Sequence, residues 1–161
     1  LVVYIEEYRQ MPKVNFYTVR LENEEDSETD RFISRFIASH EYRPDLEVIL
    51  AALEEIGARR GALPPGDATF FRPERDAVAL PPPQAYGNLL RLYGFICSDD
   101  IMVLGGGGRK TTKKAQDGDT RPAFRMMNQV AEILKHRLKN QTVWIENQQL
   151  HGAYHQMNLP G

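Results

Sequence analysis

The stretch LGGGGRKTTKK, residues 104–114, gathers the residue types that handle phosphate. Four glycines permit close backbone approach, and Arg109, Lys110, Lys113 and Lys114 place cations directly after them. Clustered ammonium groups depress one another's pKa, so a lysine here could act as a base near neutrality, while arginine stays charged and clamps phosphate through two hydrogen bonds. Arg91, in the apolar run before the glycines, offers a further clamp. A nucleotide P-loop is not expected. It needs glycine immediately before its Lys-Thr pair and a helix at once after it, whereas Arg109 holds the glycine position and Asp117 to Thr120 delay the helix. A mobile basic turn is the competing expectation for the glycines.

Other chemistry is thinly supplied. His151 and His155 are four apart but have no third ligand nearby, so neither a metal nor a cofactor is expected. Cys97 is the single cysteine, which excludes an internal disulfide and reads as a buried strand thiol. Asp99 and Asp100 read as turn formers. With 42% hydrophobic and 26% charged residues over 161 positions, one globular domain with a real core is expected. No apolar run approaches a bilayer span and no secretory leader is evident, so a cytoplasmic, non-membrane protein is expected. The net charge of −2 conceals an asymmetry: residues 1–60 carry a balance of −5, residues 105–139 one of +6. A local basic field of that kind suits a polyanionic partner.

The elements that must position these residues follow from periodicity. KVNFYTVRL, residues 13–21, is β-branched and aromatic and predicts a strand. Phe32, Ile33, Phe36 and Ile37 recur at helical spacing after Ser27, and the helix they predict ends near His40. Pro44 suits a first helical turn, and Leu46, Ile49, Leu50, Leu53 and Ile56 continue a second apolar stripe up to Gly57, giving a helical hairpin. Residues 61–87 hold six of the ten prolines and predict a loop with short strand pieces, ATFF and AVAL. NLLRLYGFIC and IMVL predict an antiparallel strand pair around Ser98-Asp99-Asp100, with the glycines at its end. A last helix opens at Thr120-Arg121-Pro122, buries Phe124, Met127, Ala131, Leu134 and Leu138, and turns Arg125 outward.

This order of elements, with RLYGF, DD, IMVL and RKTTKK in sequence, resembles the RelE/ParE toxin superfamily and is similar in particular to its phage-derived, HigB-like branch. The resemblance implies an α+β fold: an N-terminal strand, a helical hairpin, a small antiparallel sheet and a C-terminal helix packed on it. It divides the chain into an N-terminal extension (1–10), a toxin domain (11–139) and a C-terminal tail (140–161). It also implies the toxin component of a type II toxin-antitoxin system, acting as a metal-independent mRNA endoribonuclease on the ribosome and held by a cognate antitoxin, as a homodimer or a toxin-antitoxin heterotetramer. Lys110, Lys113 and Lys114 then become catalytic candidates, and Arg91, Tyr93, Arg109 and Arg125 phosphate- or RNA-binding ones. The pattern supplies no clear general acid. Two alternatives stay open: a gyrase-poisoning toxin of the ParE type, and an inactive nucleic-acid-binding domain of the same fold.

Overall fold

The computed structural model describes residues 1–62, 70–111 and 118–161. Lys113 and Lys114 lie outside the described residues, as does the first half of ATFF. In chain order the elements are β1 (Val2–Gln10), β2 (Asn15–Leu21), α1 (Glu28–Ile37), α2 (Arg43–Glu55), β3 (Arg72–Glu74), β4 (Ala77–Leu80), β5 (Leu90–Ser98), β6 (Ile101–Arg109), α3 (Arg121–Lys139), β7 (Val143–Glu146), β8 (Gln149–Gly152) and β9 (Gln156–Asn158). The fold is α+β, and among the described residues no helix is long and apolar enough to cross a membrane.

Seven strands form one sheet in the order β3-β4-β5-β6-β2-β1-β9, while β7 and β8 form a separate hairpin. Helices cover both faces of the sheet, which explains why its central strands read as continuous apolar runs rather than as alternating ones. Successive side chains of β2 leave in opposite directions: Phe16 joins the core beneath α1 and α2, Tyr17 and Val19 the core beneath α3. Ser27 caps α1 by accepting the Asp30 N–H at 3.1 Å, and Phe32 and Phe36 carry that helix's buried face. Pro44 lies in the first turn of α2, whose Leu46 and Ile49 are fully buried.

The structure corrects several expectations. The sheet is mixed, not antiparallel: β2 and β6 run parallel, with Phe16 opposite Met102 and Thr18 opposite Leu104. The second helix does not stop at Gly57. It widens into a π turn over Ile56–Arg60 and ends at Gly61, whose φ of 83° breaks it. Gly57 has a packing role instead, since a Cβ there would lie 2.3 Å from Met11 Sδ. Phe70 and Phe71 are not strand; the short strand begins one residue later, at Arg72.

The division into extension, domain and tail corresponds to no break in the sheet. Residues 2–10 form β1, which pairs with β2 on one side and with β9 on the other. The hairpin β7–β8 turns through Asn147 and Gln148, both at positive φ, and folds back on the core. There the Leu150 N–H donates to Tyr17 Oη at 2.9 Å and Asn15 Nδ2 donates to the Gln148 carbonyl at 3.0 Å. His151 belongs to β8 and stacks on Trp144, so His151 and His155 share no helix face.

Candidate functional site

The four glycines are part of strand β6, not a turn beyond it. They are small because both helical layers press on the sheet at this point. A Cβ on Gly105 would lie 2.8 Å from Met127 Sδ of α3, and one on Gly106 would lie 3.2 Å from Glu28 Oε2 of α1. Thr29 fastens the contact by donating to the Gly105 carbonyl at 2.8 Å. The mobile-turn expectation therefore fails: the run is paired strand, and side chains at Gly107 or Gly108 would strike backbone carbonyls at 2.0 and 2.7 Å.

Strand alternation then separates cations that are neighbours in sequence. Leu90 pairs with Arg109, and Arg91 with Gly108. Leu90 packs beneath α1 and α2, so Arg109 leaves on that face, donates to Tyr42 Oη at 3.2 Å and lies over the Tyr42 ring. Its backbone N–H donates to Asp119 Oδ2 at 2.6 Å, and the same oxygen pairs with Arg35 at 2.9 Å. Arg91 points to the opposite face, where Lys110, one residue beyond β6, joins it. Arg125 is exposed on α3 and donates to the Gly161 carbonyl at 3.2 Å.

The residues brought together on the Arg91 side define a cleft of about 290 Å³ lined by Arg72, Glu74, Arg91, Tyr93, Lys110 and Thr120, with Pro73 and Pro83 completing its walls. Its construction follows from register. Arg72 and Glu74 are two apart on β3 and share a face. Arg72 sits opposite Ala79, Ala79 opposite Tyr93, and Arg91 is two residues back along β5 from Tyr93. Thr120 closes one end, immediately before α3.

Three cations and one carboxylate thus face one space. Burial lowers the pKa of Arg91 first, and the charge of Arg72 lowers it further. Arg91 is held by donating through Nη1 to the carbonyls of Asn88 (2.8 Å) and Leu90 (2.7 Å). Arg72 donates through Nε to the Pro81 carbonyl at 2.8 Å. Burial pushes Glu74 above the ordinary glutamate range, against the opposing pull of Arg91, Lys110 and Arg72. Partial burial, then Arg91 and Arg72, draw Lys110 below the ordinary lysine value. Burial raises Tyr93 to about 12, and its hydroxyl has Thr120 as the polar neighbour that most favours ionisation. Tyr93 also packs edge-on to Phe124.

Of the residues singled out from sequence, the structure unites Arg91, Tyr93 and Lys110 in the cleft and sets Arg109 and Arg125 outside it. Arg72, Glu74 and Thr120 were missed. Arg72 and Glu74 had one signal, the alternating charge in Arg72-Pro73-Glu74 just ahead of AVAL, hidden within a proline-rich connection, and Thr120 was read only as the opening of the last helix. Among the described residues no three His, Cys, Asp or Glu side chains gather to hold a metal ion. Compared with family models, curated proteins and solved structures, the chain matches none.

Proposed function

We propose that the cleft grips an RNA phosphate and that the chain is a metal-independent endoribonuclease, the toxin of a type II toxin-antitoxin pair, cutting messenger RNA on the ribosome. The observation carrying this is the convergence of Arg72, Arg91 and Lys110 around the half-buried Glu74. Among the described residues none of the three cations forms a direct ion pair with Glu74, so the cleft keeps positive charge for an incoming anion. From β2 to α3 the order is a strand, two helices, a strand meander and a helix, which is the part that supports the RelE/ParE-like affiliation; β1 before it and β7–β9 after it lie outside that pattern.

In this mechanism the ribose 2′-oxygen attacks the adjacent phosphorus while the bond from phosphorus to the 5′-oxygen breaks, leaving a 2′,3′-cyclic phosphate. Glu74 accepts the 2′-hydroxyl proton, a task its raised pKa suits. Arg72 and Arg91 stabilise charge on the non-bridging oxygens, and being anchored to backbone carbonyls they need no rearrangement to do so. Lys110, made more acidic by its neighbours, gives a proton to the departing 5′-oxygen. Glu74 thus supplies a carboxylate where the sequence pattern offered only lysines as bases. A groove between α1, α2 and the sheet, lined by Met11, Phe16, Ile33, Leu50 and Leu53 and rimmed by Arg9 and Glu54, suits an antitoxin helix.

The test is to induce the chain alone in a bacterial host and map 5′ ends on an abundant transcript. New ends at in-frame codons that disappear when translation is blocked, and that Glu74→Gln and Lys110→Ala abolish, support the proposal. Unhindered growth of cells holding soluble protein, with no new ends, overturns it.

A further inference from the structure

Between β4 and β5 the chain makes a loop, residues 81–89, and the cleft's own arginines hold it at both ends. Arg72 donates to the carbonyls of Pro81 and, at 3.3 Å, Pro82. Arg91 donates to that of Asn88. The Lys110 backbone N–H donates to the Leu89 carbonyl at 2.6 Å, and Asp45 of α2 accepts from the Leu89 N–H at 2.9 Å. The loop is therefore a wall of the cleft, and Pro83 lines the space directly.

At the far side of this fastened loop stands Tyr86, 91% exposed. It is the most exposed large hydrophobic side chain among the described residues, and Leu89 nearby is also open to solvent. Gly87, at φ 76°, turns the chain back immediately after it. Tyr86 lies three positions beyond Pro83, so their Cα atoms are no more than about 11 Å apart. An aromatic ring in water near a cleft lined by three cations is the pairing that single-stranded nucleic acid uses, with bases stacked on the ring and the backbone held by charge.

We propose that loop 81–89 is a nucleobase-binding wall with Tyr86 as its stacking platform, so that a base flanking the gripped phosphate lies on the Tyr86 ring. The ligand is unpaired RNA, because a base within a duplex has no free face to offer. This rests on the cleft's reading as an RNA phosphate site.

The experiment compares binding of two short fluorescent single-stranded RNAs, one with all its bases and one abasic at alternate positions. Wild-type protein is expected to prefer the complete RNA by about tenfold, the scale of one stacked base. Tyr86→Ala should erase that preference while leaving the salt dependence of binding unchanged, and Tyr86→Phe should keep it. Lys110→Ala should instead weaken both RNAs alike and lower the salt slope by about 1. A second readout places Tyr86→Trp in a Trp144→Phe background, leaving one indole whose fluorescence the complete RNA should quench. Because Tyr86 is almost wholly in solvent, its replacement leaves the core intact. If wild type and Tyr86→Ala show the same preference, the stacking role is overturned and the phosphate cleft stands. If wild type binds neither RNA, both proposals fall.

Discussion

A Cβ placed on Gly107 would lie 2.0 Å from the carbonyl oxygen of Arg91, the residue at the centre of the cleft. The strand behind the site and the site itself are thus in backbone contact with no space between them. The same Cβ would lie 2.8 Å from the Phe32 ring of α1, so neither neighbour can yield cheaply.

Gly107→Ala is therefore expected to destabilise the protein by about 3 kcal/mol or more, against about 1 kcal/mol for Gly105→Ala, where only the flexible Met127 side chain intrudes. Urea denaturation of the two variants checks the ranking. Equal losses would show that the layers are less tightly pressed than their spacing implies.

Thr29→Val tests the fastening of α1. Thr29 spends its one proton on the Gly105 carbonyl, so Thr18, 2.7 Å away, must be the donor between the two hydroxyls. Valine keeps the shape but leaves a buried carbonyl and a buried hydroxyl without partners. A loss of about 2 kcal/mol is expected, read from the shift in the denaturation midpoint.

Much of this architecture is legible in the sequence. The β5–β6 hairpin, Ser27 opening α1, Pro44 in α2 and the stripe of α3 all follow from local periodicity and capping. The parallel pairing of β2 with β6 is not local, because residues 15–18 and 101–104 meet only through the crossover. The glycines misled because strand propensity weighs a residue against water and neighbours in sequence, whereas two helices pressing from opposite sides decide the outcome here. Arg109 looked like a partner of Arg91 because adjacency in sequence does not reveal which face a side chain takes; that needed the pairing of Leu90 with Arg109. Glu74 stayed hidden because a three-residue strand containing proline carries almost no strand signal.

Arg109→Ala should leave RNA cleavage close to wild type, since that side chain leaves on the Tyr42 face. Arg91→Lys should abolish most activity, because lysine cannot reproduce a guanidinium held by two carbonyls. Single-turnover cleavage rates separate these outcomes, and the opposite ranking would move the site to the other face of the sheet.

The pH profile of cleavage should have both limbs drawn inward. The proposed mechanism requires ionised Glu74, whose pKa is raised, and protonated Lys110, whose pKa is lowered. Removing the charge of Arg72 by Arg72→Met should raise both pKa values and shift the whole bell to higher pH. An unmoved profile would remove Glu74 and Lys110 from the chemistry.

Stability should move opposite to activity at Lys110. A lysine whose folded pKa is depressed contributes stability above its unfolded pKa and loses that contribution as pH falls through the folded value, so at neutral pH the wild-type ammonium is a liability. Lys110→Met is expected to raise the melting temperature slightly, by less than about 1 kcal/mol in free energy given the exposure of the group, while cleavage is lost. A fall in melting temperature would mark Lys110 as a structural residue.

The two parts of the proposed site differ in how far they can change. Strand β6 has no room for even one added methyl group at several of its glycines, so its sequence is frozen by geometry whatever the substrate. Loop 81–89 is fastened near its ends, through the Pro81, Pro82 and Asn88 carbonyls and the buried Asn88 side chain, and Tyr86 at its crest is almost wholly exposed. On the proposed reading, exchanging Tyr86 would change the base that is favoured at little cost to the fold, while the cations and glycines behind it stay constant.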